Sequence, residues 1–87
     1  MQFEFSPEFE QSVASLPLAV RKKIPKTLKF FQQNFWHPSL HTEKLEGRMF
    51  VGKPIWSIRI DRTYRISFSI FKERESIFLI NVSKHYE

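Results

Sequence analysis

The chain has 87 residues, with 14 Lys or Arg against 9 Asp or Glu, a formal net charge of +5, and no Cys. That length holds one domain with one core, 1–87, and the missing cysteines exclude a disulfide framework or a thiolate zinc site. An apolar content of 41% with ten Phe, two Trp and two Tyr excludes a disordered chain, and no apolar run reaches the roughly 18 residues of a membrane span. No signal peptide is visible, so a small cytoplasmic domain with no membrane role is expected, its charge suited to a polyanionic partner.

Gln2 to Phe5 alternates, with Phe3 and Phe5 on one face, and reads as a first strand. Ser6-Pro7-Glu8 carries a helix start: a capping hydroxyl, a Pro at the first helical position and an acid in the first turn. Phe9, Val13 and Leu16 follow at helical spacing, and Leu16-Pro17 ends that helix. From Leu18 to about Phe35 the helical pattern returns through Val20, Ile24, Leu28 and Phe31. Pro25 kinks this segment or marks a turn, after which the main helix runs from Lys26 to Asn34. Arg21, Lys22, Lys23, Lys26 and Lys29 form a basic helical face, either simply solvated or a surface for RNA or an acidic partner.

Trp36 to Thr42 is a polar connection in which Pro38 and Ser39 forbid a continuing helix. His37 and His41 have the four-residue spacing that binds metal on a helix, but Pro38 removes the helix and no third ligand is at hand, so no metal and no cofactor are expected. From Leu45 the apolar period changes from 3.6 to 2. Trp56, Ile58 and Ile60, then Tyr64, Ile66, Phe68 and Ile70, alternate with polar residues. Ser76 to Val82 is more evenly apolar, as in a strand buried on both faces. The expected class is α+β: an N-terminal strand, two helices, then a three- to four-stranded antiparallel sheet with the helices on one face.

The alternating strands constrain each other. The apolar residues are even-numbered on both, so one face is core only if even positions oppose even ones. A loop of Asp61-Arg62-Thr63 satisfies this, setting Ile58 opposite Ile66 and Arg59 opposite Arg65. Two opposed arginines repel. Either a carboxylate such as Asp61 or Glu43 compensates them, or a bound phosphate does, since the guanidinium fork suits phosphate oxygens. Ser57, Thr63, Ser67 and Ser69 complete that polar face and leave it open. Trp56 shares the parity of Ile58 and Ile60 and reads as core rather than as a base-stacking platform. His85-Tyr86 follows the last strand directly, either as a frayed end or docked near Arg65.

An ordered set of segments resembles the RelE/ParE superfamily of toxins from toxin–antitoxin systems. These are His37-Pro-Ser-Leu, Lys44-Leu-Glu-Gly47, Trp56-Ser-Ile-Arg-Ile60, Tyr64-Arg-Ile66 and Asn81-Val-Ser-Lys-His85-Tyr86. Trp-Ser-x-Arg-Ile and the His-Tyr pair are most similar to the YoeB branch. The resemblance implies a microbial-RNase-like α+β fold and cleavage of messenger RNA in the ribosomal A site. It implies catalytic roles for Glu43, Arg65, His85 and Tyr86, and phosphate binding by Arg59. Lys44, Arg62 and Lys84 are further candidate RNA-phosphate contacts. It also implies a cognate antitoxin whose C-terminal tail wraps the toxin, and a homodimer or a toxin–antitoxin hetero-oligomer. ParE-like relatives instead inhibit DNA gyrase without a catalytic set, and a degenerate antitoxin-binding module is the third possibility.

The implied set is chemically coherent without a metal. A base takes the 2′-hydroxyl proton, the oxygen attacks the adjacent phosphorus, an acid protonates the leaving 5′-oxygen and cations stabilise the phosphorane. Glu43 fits the base, His85 the acid, and Arg65 with Arg59 the cations; Tyr86 fits phosphate orientation or base stacking.

Overall fold

The computed structural model describes residues 1–84. Strand β1 (Gln2–Phe5) leads into α1 (Pro7–Ala14), a single-turn α2 (Leu18–Arg21) and α3 (Ile24–Gln33). A 3₁₀ turn at Pro38–Leu40 precedes strands β2 (Glu43–Phe50), β3 (Lys53–Arg59), β4 (Tyr64–Phe71) and β5 (Ser76–Lys84). The five strands form one sheet in the order β1-β5-β4-β3-β2. The α+β order expected from the sequence is present, but the sheet is mixed. β1 joins it in parallel with β5, Phe3 opposite Ile77, while every other neighbour is antiparallel.

The local signals explain the helices. Ser6 Oγ accepts the Phe9 N–H at 2.9 Å, with Pro7 in the first turn. The same hydroxyl donates to the Ile80 carbonyl at 2.8 Å, so the cap also pins α1 to β5. Pro25 lies in the first turn of α3, where its missing N–H costs no hydrogen bond. The break expected at this proline therefore falls just before it, between Arg21 and Ile24. Phe9, Val20, Ile24 and Phe31 from the helices meet Ile58, Ile66, Phe68 and Leu79 from one sheet face. Arg21, Lys22, Lys23, Lys26 and Lys29 all face solvent.

The β3–β4 register is the one the Asp61-Arg62-Thr63 loop sets, among those parity allows: Ile58 opposite Ile66, Ser57 opposite Ser67 and Arg59 opposite Arg65. Asp61 closes the hairpin by accepting the N–H groups of Thr63 and Tyr64, each at 2.8 Å. Lys23 Nζ of the helical layer lies 3.5 Å from the same carboxylate. Burial raises the Asp61 pKa, but the two N–H bonds and Lys23 outweigh it, and the carboxyl sits below its usual value. A folded-state pKa below the unfolded one gives stability above the unfolded pKa that is lost as pH falls through the folded one. Asp61→Asn keeps an oxygen acceptor but no charge. The wild type is therefore expected to melt above Asp61→Asn at pH 6, with the gap closing as acid takes the pH below about 4. Melting curves across that range check it; a gap independent of pH would contradict it.

Two irregularities shape the sheet. In β2 the four residues Leu45–Arg48 stand opposite the single residue Ile55, with Gly47 at φ 68°. Beyond them Val51 and Gly52 turn the chain with positive φ at both centres, the geometry of a two-residue hairpin. In β5, Ile80 is the extra residue between the Asn81–Ser67 and Leu79–Phe68 pairs. β5 is apolar on both faces as its composition suggested, with Phe78 stacked on Phe50 at 5.3 Å and near Phe71 at 6.2 Å on the face away from the helices. That face is therefore open over only half its length. Ser69, expected on an open polar surface, is fully buried and donates to the Pro54 carbonyl at 2.8 Å. No helix among the described residues is long and apolar enough to cross a membrane.

Candidate functional site

The open half of the sheet holds a cleft of about 270 Å³ lined by Glu43, Arg48, Ser57, Arg65, Ser67 and Lys84, among others. Strand register puts Glu43, Ser57, Arg65 and Ser67 together. Glu43 pairs with Ser57, Ser57 with Ser67, and Arg65 with both Arg59 and Ser83, so all project from one face.

Arg65 is the centre of the cleft. It is 7% exposed, and a buried cation persists only when paired and hydrogen-bonded. Its Nε donates to Ser57 Oγ at 2.9 Å, and Nη2 donates to the His41 carbonyl at 2.7 Å and the Ser57 carbonyl at 3.3 Å. Glu43 Oε1 lies 3.8 Å from Nη2, an ion pair without a hydrogen bond. Burial depresses the Arg65 pKa from its very high ordinary value; Glu43 opposes that shift and Arg59 adds to it. The planar fork is thus locked at its base, while the half-exposed Glu43 carboxylate stands beside it unlocked.

Of the two carboxylates that could compensate the arginines, Glu43 does so; Asp61 is used by the hairpin and Lys23. The opposed Arg59 turns away from Arg65, and its Nη1 meets His41 Nε2 at 3.2 Å. Arg59 also lines a second groove of about 350 Å³, with Lys23 and Lys26 on the helical side. The bulge at Leu45–Arg48 absorbs the extra length of β2 and brings Arg48 over the cleft, leaving Glu43 in register with Ser57.

The remaining candidates divide. Lys84 pairs with Tyr64, so strand parity starts its side chain on the face opposite Arg65, but at the end of β5 it borders the cleft. Arg62 is exposed in the β3–β4 turn, outside it. Lys44 pairs with Trp56, so it leaves the sheet on the face opposite Glu43 and does not join the cleft. His85 and Tyr86 lie outside the described residues. Trp56 is half-buried against the core, its ring 5.4 Å from Phe35 and 5.9 Å from the exposed Trp36.

Sequence reasoning missed His41 and Arg48. His41 contributes a backbone carbonyl to Arg65, which has no signature in residue type. Arg48 had a readable signal: a glycine, Gly47, inside a strand pattern suggests a bulge that re-aims its neighbours. The His37–His41 pair is not on a helix. His37 Nδ1 accepts the Ser39 N–H at 3.1 Å and its ring stacks on Phe30 at 4.4 Å. Among the described residues no three His, Asp or Glu side chains converge as metal ligands.

No family model matches the chain, and no curated protein matches it by sequence. Solved structures do match the fold. The YoeB dimer of Staphylococcus aureus is 21% identical with a TM-score of 0.74, covering 99% of this chain and 98% of that one. A YoeB/ParE toxin of Agrobacterium tumefaciens is 17% identical with a TM-score of 0.75, covering 99% and 100%. RelE in the archaeal RelE–RelB complex of Pyrococcus horikoshii is 15% identical with a TM-score of 0.73, covering 95% and 92%. The chain shares the fold of these YoeB, YoeB/ParE and RelE structures.

Proposed function

We propose that the protein is the toxin of a toxin–antitoxin pair and cleaves messenger RNA on the ribosome without a metal. The observation that carries this is Arg65: a buried guanidinium locked on three acceptor contacts, at the floor of a cleft with a carboxylate 3.8 Å away. A cation held this rigidly needs no reorganisation as charge builds on a phosphorane. Glu43 takes the proton of the 2′-hydroxyl, a group DNA lacks. Arg65 receives the charge that moves onto the non-bridging oxygens, and Arg59, Arg48 and Lys84 hold the flanking phosphates. His85, next in sequence after Lys84, protonates the departing 5′-oxygen, and Tyr86 orients the phosphate.

The partners follow from the same reading. One similar structure is a complex of RelE with RelB and another is a YoeB dimer. For this chain we assign an antitoxin segment to the cationic face. The exposed side chains of Trp36, Met49 and Val51 offer it apolar contact.

Primer extension on a defined message, with and without ribosomes, tests the assignment. New 5′ ends that require the protein and disappear in Arg65→Ala are expected. An intact message together with inhibited gyrase supercoiling would replace this reading with the ParE-like one.

A further inference from the structure

His41 is held in an unusual way. Its φ is 46°, in the left-handed region that a non-glycine residue keeps only where its surroundings over-determine it. The anchors stand on either side. Leu40 is 1% exposed at the end of the 3₁₀ turn, and Thr42 Oγ1 donates to the Phe35 carbonyl at 2.7 Å. Between them, His41 reaches both arginines at once. Its carbonyl accepts from Arg65 Nη2 at 2.7 Å and its Nε2 meets Arg59 Nη1 at 3.2 Å.

Arginine has donors only, so a hydrogen bond at this contact makes Nε2 the acceptor and leaves the ring proton on Nδ1. We propose that His41 is a positioning residue of the phosphate clamp: its backbone steadies Arg65, and its neutral imidazole draws Arg59 aside so that two opposed cations share one face. This inference rests on the ribonuclease reading. Protonation would turn the acceptor into a donor and set a third cation against the pair. The charged groups near the two arginines are Glu43, 3.8 Å from Arg65, and Lys23 and Lys26, which line the groove with Arg59; Lys23 is itself paired with Asp61.

Four proteins test it by message cleavage: wild type, His41→Ala, Arg59→Ala and the double variant. His41→Ala should lower kcat/KM roughly ten- to a hundredfold, the scale of one hydrogen bond to a charged group. The same substitution in the Arg59→Ala background should cost little, because its target is gone. Equal losses in both backgrounds would overturn the proposal.

His41→Gln, whose amide oxygen can accept from Arg59, should recover most of the activity. Activity in His41→Gln no better than that in His41→Ala would also overturn the proposal. Side-chain ¹⁵N NMR of the isolated protein should show Nε2 unprotonated at neutral pH, and Nε2 carrying the proton would refute the clamp without reference to activity. Absence of cleavage by the wild type, with the acceptor signature present, would refute the ribonuclease reading and leave the clamp geometry standing.

Discussion

Replacing Arg65 with alanine is expected to lower message cleavage by about 10²–10³-fold, the usual cost of removing one preorganised group that stabilises developing charge. Replacing it with lysine is expected to cost nearly as much. The guanidinium spans Ser57 Oγ, the Ser57 carbonyl and the His41 carbonyl from one plane. An ammonium is a point charge on a flexible stem and cannot hold those three acceptors while also facing the cleft. Both changes also orphan acceptors in a buried place, each at about 1–3 kcal/mol. Cleavage must therefore be compared well below the melting temperature of each variant, with melts run alongside. Arg65→Lys within tenfold of the wild type, in a folded protein, would mean that positive charge alone suffices and that the locked fork is structural.

Parity argued from two strands located this arginine pair. Trp56-Ser-Ile-Arg and Tyr64-Arg-Ile-Ser have one consistent assignment of core and open faces, so the shared face of Arg59 and Arg65 was legible; their direct opposition needed the shortest loop of that parity, which the structure has. The Ser6 cap was legible too, because Ser-Pro-Glu is a local signal. What was not legible is non-local or carried by the backbone. β1 pairs in parallel with a strand more than 70 residues away, and a four-residue alternation says nothing about its neighbour. The bulge at Ile80 and the left-handed His41 are choices of backbone dihedral that several side chains permit. Covering of Ser69 by neighbouring β-structure likewise follows from the pairing of β3 and not from the serine itself. For Lys44 the error was one of face. It adjoins Glu43 in the chain, and the two-residue period of a strand sends neighbours to opposite sides.

Phe68→Ala is expected to be the most destabilising single substitution in the core, at about 3–5 kcal/mol. Phe68 is fully buried, and its ring lies 4.8 Å from Phe31 and 6.0 Å from Phe35. It therefore joins the central strand to the longest helix. It pairs with Trp56 on one side and Leu79 on the other, beside the Ile80 bulge, so three strands lean on one ring. A loss of this size is a large share of the roughly 5–15 kcal/mol available to a small domain. Urea titration should show a much lower midpoint with an unchanged slope. Phe68→Leu refills most of the volume and should lose less. Its cleavage should stay near wild type, because Phe68 and Arg65 project from opposite faces of β4. Phe78→Ala, on the partly exposed aromatic cluster of the far face, should also cost less than Phe68→Ala. The two alanine variants thus compare the two faces of one sheet. Equal losses would mean that the aromatic cluster behind the cleft supports the fold as strongly as the helix-covered core.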